Sequence, residues 1–227
     1  MEVHAMMAGN RRSHRKRNWK KIRKTNEHFQ NRKERLCVIN FLLILALNLS
    51  GAAGAQDKTI AIAEKILAYQ RANGGWPKNY EYDKPGTPDE LKQARSKKEK
   101  IEDATIDNGA TFKEMGFLVR WYRKTKDERY ADAVKRGVEY LLEAQYDNGG
   151  WPQYYPKLDG YFRHITFNDG AMIGAMSLLK DVVNRPEAYP YLEDHVRKRA
   201  SLAIEKGLDC ILQCQVIQDG RPTVWCA

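Results

Sequence analysis

The sequence predicts an all-α protein, an (α/α) toroid of helical hairpins over residues 56–227, with the last part of the ring lying beyond the chain. Three observations carry that prediction. The run Gln70-Arg71-Ala72-Asn73-Gly74-Gly75-Trp76-Pro77 returns 75 residues later as Gln145-Tyr146-Asp147-Asn148-Gly149-Gly150-Trp151-Pro152, and again in worn form as Gln215 to Pro222. A second motif, Thr105-Ile106-Asp107-Asn108-Gly109-Ala110, returns 61 residues later as Thr166-Phe167-Asn168-Asp169-Gly170-Ala171. Two interleaved repeats imply a repeated supersecondary unit. Between them lie segments with apolar residues at helical spacing and none with sustained period-two alternation.

The elements follow in order. Residues 1–35 hold twelve of the 39 Lys/Arg and only three acidic residues, whereas residues 56–227 carry a net +1. The net +10 of the chain therefore belongs to its leader, and the folded part has no field suited to nucleic acid. An apolar run from Leu36 to Leu49 and the small residues Ala53-Gly54-Ala55 complete the pattern of a secretory signal peptide over residues 1–55. The run is shorter than the ~20 residues a membrane-spanning helix needs. The expectation is a secreted, monomeric protein that meets the membrane only through this segment, with an uncleaved anchor as the alternative. Three cysteines remain after it, Cys210, Cys214 and Cys226; the last could pair with either of the others, and buried free thiols are the alternative.

Residues 57–72 read as a first helix ending at Asn73-Gly74-Gly75. Residues 81–103, with Pro85, Gly86 and Pro88 and mixed charge, read as a loop with a short polar helix. Helices follow from Gly109 to about Lys124 and from Glu128 to Gln145, the second ending at Gly149-Gly150 as the first does at Gly74-Gly75. The plan repeats with a loop over 151–167, a helix from about Asp169 to Asn184, breaks at Pro186 and Pro190, and a helix from Leu192 to Gln215 that ends at Asp219-Gly220-Arg221-Pro222.

Loops and helix starts fall on one end of the repeats, so chemistry is expected there. Asp107, Asn108, Asn168 and Asp169 stand at helix N-termini, where capping is the ordinary role. One capping residue per helix would suffice, and the paired recurrence points to oxygen ligands for a hard cation. Trp76 and Trp151 have two readings, as plugs tying loop to helix or as platforms for sugar rings. Tyr154, Tyr155 and Tyr161 favour a carbohydrate groove, and Lys78, Arg163 and His164 add positive or hydrogen-bonding character. No Ser-His-Asp order, zinc spacing, phosphate loop or dinucleotide fingerprint is present.

The motifs around Ala68–Asn79, Thr105–Thr111 with Glu114-Met115, Gly149–Pro156 and His164–Met172 together resemble the pectate lyases of polysaccharide lyase family ten, from about residue 58 to 227. The resemblance implies an (α/α) toroid and calcium-assisted β-elimination of polygalacturonate. It matches Asp107 and Asp169 to acidic residues at a Ca2+ and substrate site, with Asn108 and Asn168 beside them; from their own place in the loops, Lys78, Tyr155 and His164 are expected to face the substrate as well. The family's base is an arginine expected beyond Ala227, and nothing around Arg163 matches it. A toroid hydrolase and a non-catalytic binder of acidic polysaccharide are the alternatives.

Overall fold

The computed structural model describes residues 57–157 and 159–225; the leader with its signal segment, and Cys226, lie outside them. Six helices carry the fold among the described residues. Helix α1 covers 57–69, α2 Pro88–Ser96, α3 Phe112–Thr125 and α4 Glu128–Glu143. Helix α5 covers Ala171–Asn184 and α6 Asp194–Gln213. Helices α3 and α4 pack together, as do α5 and α6; α3 also meets α5, and α4 meets α6. Neighbouring hairpins thus stack side by side in two layers, as the all-α toroid reading requires. The amphipathic pattern explains the choice of face: on α4, Tyr130, Val134, Val138 and Leu141 are all buried. The short polar helix expected after Pro85 is α2, with Thr87 accepting from the Glu90 N–H and Pro88 in the first turn. No helix among the described residues is long and apolar enough to cross a membrane.

The repeated loops are anchors between neighbouring helices. Gln70 Nε2 donates to Gly74 O at 2.9 Å and to Ala133 O on α4 at 2.8 Å. Gln145 Nε2 does the same to Gly149 O at 2.9 Å and to Ala203 O on α6 at 2.8 Å. Gly74 and Gly149 have φ of +92° and +88°, and a Cβ on either would lie within 2.1 Å of the carbonyl oxygen of Arg136 or 2.0 Å of that of Lys206. Glycine is required at both by conformation and by space. Trp76 and Trp151 are wholly buried. Their indole N–H groups donate to Ile66 O at 2.8 Å and Leu141 O at 2.7 Å, the last turns of α1 and α4. They are plugs, which excludes the sugar-platform reading.

The third copy departs from expectation. Helix α6 stops at Gln213, and Gln215–Gln218 (β1) and Arg221–Trp225 (β2) form an antiparallel hairpin. Its two-residue turn is Asp219-Gly220, with φ of +50° and +73°. Asp-Gly is the dipeptide such turns favour, and a Pro such as Pro222 is tolerated where the strand edge is free. The all-helical reading overlooked that signal. The alignment of Pro222 with Pro77 and Pro152 is also overturned. Trp225 Nε1 donates to Ile211 O at 2.6 Å, and Ile211 stands four residues before Gln215, as Ile66 does before Gln70 and Leu141 before Gln145. Trp225 is therefore the third plug, delayed by the hairpin. It is 47% exposed, because no described helix covers it.

Cys210 and Cys214 are both free thiols, the first buried and the second exposed. Burial and then the neighbouring Cys214 push the Cys210 thiol up to about 11.

Candidate active site

Four loop segments meet at one end of the hairpins. Isolated bridges join Pro77 to Ala104, Thr105 to Tyr154 and Pro152 to Ile165. Backbone bonds from Thr105 N to Trp76 O (3.0 Å), Ile106 N to Gln153 O (3.2 Å) and Thr166 N to Trp151 O (3.1 Å) knit the same segments. Each contact is too short to leave a strand-like pattern in the sequence, yet together they set Lys78, Asp107 and Tyr154 side by side.

Both Asx-containing motifs form short 3₁₀ turns, Asp107–Gly109 and Asn168–Gly170, and the turns touch. Helices α3 and α5 begin after them, later than the sequence suggested. The reason is backbone hand: Asn108 and Asp169 both have φ of +53°, which cannot continue a helix. Asn and Asp tolerate that conformation better than other side chains. None of the four residues caps a helix through its side chain; the cap positions are Thr111 and Gly170.

Asp107 is 2% exposed. Its Oδ2 accepts from Lys78 Nζ, and its Oδ1 is buried without a partner. Lys78 Nζ also lies 5.5 Å from the centre of the Tyr154 ring. Burial works to lower the Lys78 ammonium's pKa, but its bonds to Asp107 and Tyr154 outweigh that and hold it above the ordinary lysine value. Thr105 and Thr111 brace the turn. Thr105 Oγ1 accepts from the Asp107 N–H at 3.1 Å and donates to Gln153 O at 2.5 Å. Thr111 Oγ1 donates to Thr105 O at 2.8 Å and accepts from the Trp76 N–H at 3.0 Å. Those bonds hold Thr111 in a strained γ-turn with φ of +72°, closed by Phe112 N to Ala110 O at 3.0 Å.

The other expected site residues are arranged less tightly. Asn108 is exposed, and its carbonyl accepts from Lys113 Nζ at 2.7 Å. Asp169 is exposed and accepts at Oδ2 from Asn168 Nδ2 at 3.2 Å, while Asn168 Oδ1 accepts from Thr166 Oγ1 at 3.3 Å. His164 is exposed, its ring 6.3 Å from that of Tyr161. Tyr155, expected to face a ligand, is half-buried against Tyr140 with ring centroids 6.1 Å apart. In an extended segment neighbouring side chains point to opposite sides, so Tyr154 reaches Lys78 and Tyr155 turns to the core.

Glu114 had no assigned role in the sequence. It is 2% exposed, with Oε2 buried and unpartnered, as is the Tyr80 hydroxyl near it. Burial pushes the Glu114 carboxyl up to about 7, against the opposing pull of backbone N–H groups at Glu114 and Thr111 and of Tyr80. The spacing Thr111-x-x-Glu114 is a capping-box signature that could have drawn attention to it. Only half of that box forms, since the Thr111 hydroxyl is used elsewhere.

A hard cation fits this donor set in one respect: Asp107 Oδ1 is a buried carboxylate oxygen lacking any partner, beside a second turn that carries Asp169. No group of three or more His, Cys, Asp or Glu converges among the described residues, so further oxygens would come from a ligand or water.

The model of the family described as pectic acid lyase matches residues 70–227. The chain belongs to the pectic acid lyase family. Two solved structures are similar to it, a family 10 polysaccharide lyase from Cellvibrio cellulosa and a point mutant of that lyase in complex with trigalacturonic acid. Each is 38% identical with a TM-score of 0.62, and the match covers 73% of this chain. The chain spans about half the length of those relatives, 49% and 50%. Among curated proteins no match was found. In this pectic acid lyase family member the matched region takes in both turns and both Trp plugs, and so every residue of the cluster described above.

Proposed function

We propose that the chain acts in calcium-assisted β-elimination of polygalacturonate, giving oligogalacturonides with a new C4–C5 double bond. The observation that carries this reading is the buried Asp107 carboxylate, with one oxygen bonded to Lys78 and the other buried without a partner. Asp107 and Asp169 are the residues that would hold calcium. Bound there, the ion would draw negative charge away from a uronate carboxylate as the C5 proton leaves. Lys78 places a positive charge next to the same position, and Tyr154 gives it a wall. Thr105 and Thr111 fix the Asp107 turn, which costs no reorganisation when charge develops. In the reaction a base takes the C5 proton, its electron pair forms the double bond, and the C4–O bond breaks. No described residue is assigned as that base; Arg163 does not meet the cluster, and its carbonyl accepts from Tyr146 Oη at 2.7 Å. A substrate of this size calls for action outside the cell, in keeping with a secreted, monomeric enzyme.

Hydrolysis by paired carboxylates fits less well, because it needs two carboxyl groups free to face one glycosidic bond, and Asp107 Oδ2 is already taken up by Lys78. The test is ultraviolet absorbance of unsaturated uronate during incubation with polygalacturonate, with and without a chelator. Absorbance that grows and stops on chelation is expected. Reducing ends released without that absorbance would refute the lyase reading, and activity indifferent to chelator would refute calcium.

A further inference from the structure

The fold does not require the Lys78–Asp107 ion pair. In the second repeat the matching positions hold the neutral residues Gln153 and Asn168, and the same loop and turn form around them. The pair is also unfavourable to desolvate, with side-chain exposures of 23% and 3%. It is nonetheless held firmly. Pro77 bridges Ala104, and the Tyr80 ring stacks on Tyr69 with centroids 3.9 Å apart, so the loop on both sides of Lys78 is pinned. Lys78 Nζ thus sits between Asp107 Oδ2 and the Tyr154 ring, while Asp107 Oδ1 is buried without a partner. A carboxylate already neutralised by an ammonium attracts a second cation weakly, since the two cations repel across a few ångströms of poorly screened protein. Asp107 and Asp169 alone cannot balance both an ammonium and a divalent ion. Each uronate unit of a bound ligand brings one more carboxylate.

We propose that Lys78 is an internal counter-cation that keeps calcium off Asp107 until an acidic sugar chain arrives, making metal binding depend on the ligand. This rests on the calcium-assisted reading above and adds an order of events to it. The test is calorimetric titration of calcium into the full chain, alone and with trigalacturonic acid, for wild type, Lys78→Met and Lys78→Arg. Wild type is expected to bind calcium about tenfold or more tightly when the ligand is present. Lys78→Met should gain affinity without ligand, on the order of tenfold, because only the repulsion is removed. Lys78→Arg, which keeps the charge, should behave as wild type. A folded Lys78→Met that binds calcium no more tightly overturns the proposal. An equal gain in Lys78→Arg overturns it too, since packing would then be responsible. If Lys78→Met does not fold, Lys78→Gln, with the residue the second repeat uses, gives the same comparison. Calcium bound by none of these proteins, with or without ligand, refutes the calcium reading itself, and the proposal with it.

Discussion

The two repeats share their anchoring hardware and differ in their chemistry. Gln70 and Gln145, Gly74 and Gly149, and Trp76 and Trp151 make matching bonds at distances within 0.1 Å. The turns that follow share a left-handed second residue, with φ of +53° at both Asn108 and Asp169, yet Lys78, Asp107, Thr111 and Glu114 of the first unit correspond to Gln153, Asn168, Met172 and Ala175 of the second. What recurs is needed to join one hairpin to the next. What changes between copies is free to serve a ligand, and the first repeat uses that freedom to bury charge.

The largest expected effect tests the shared hardware. Gly74→Ala and Gly149→Ala should each cost about 4 kcal/mol or more, since a Cβ would strike a backbone carbonyl at a backbone angle that disfavours it. Chemical denaturation would measure this, and a mild effect at one site alone would break the equivalence.

Glu114 comes next, as a residue of the first repeat only. A carboxyl raised from its ordinary 4.5 to about 7 in the folded state binds its proton more tightly there than when unfolded. Its contribution is therefore most favourable below pH 4.5 and is lost as pH rises through about 7, a change of about 3 kcal/mol. Glu114→Gln should raise the melting temperature at pH 8, with much less effect at pH 4. Equal shifts at both values would show that burial does not hold the carboxyl protonated.

A smaller effect separates the three plugs. Trp76→Phe and Trp151→Phe should each cost about 2 kcal/mol by leaving a buried carbonyl unpaired and a space unfilled. Trp225→Phe should cost well under half of that, because Trp225 is 47% exposed. The smallest effect on stability belongs to Asp169→Asn, expected within about 0.5 kcal/mol of wild type because the side chain is exposed. Asp107→Asn, which strips the half-buried Lys78 of its partner, should cost more. Equal losses for the two would undo the distinction between a buried and an open carboxylate.

By itself the sequence determined the repeat, the helices and the end at which the loops gather. Those features rest on local rules: apolar spacing within one helix, glycine where the chain must turn, and one motif written twice. The residues of the candidate site were legible for the same reason, because Asp107, Asp169 and Lys78 stand in or beside the motifs. Only the tertiary structure decided what each of them touches. It buried Asp107 and exposed Asp169, turned Tyr154 rather than Tyr155 to Lys78, made Trp76 and Trp151 plugs, and found the third plug at Trp225 beyond a hairpin. Each of those outcomes depends on a partner supplied by another loop or helix. No pattern along a single segment can hold that information, because burial is a property of what packs against it.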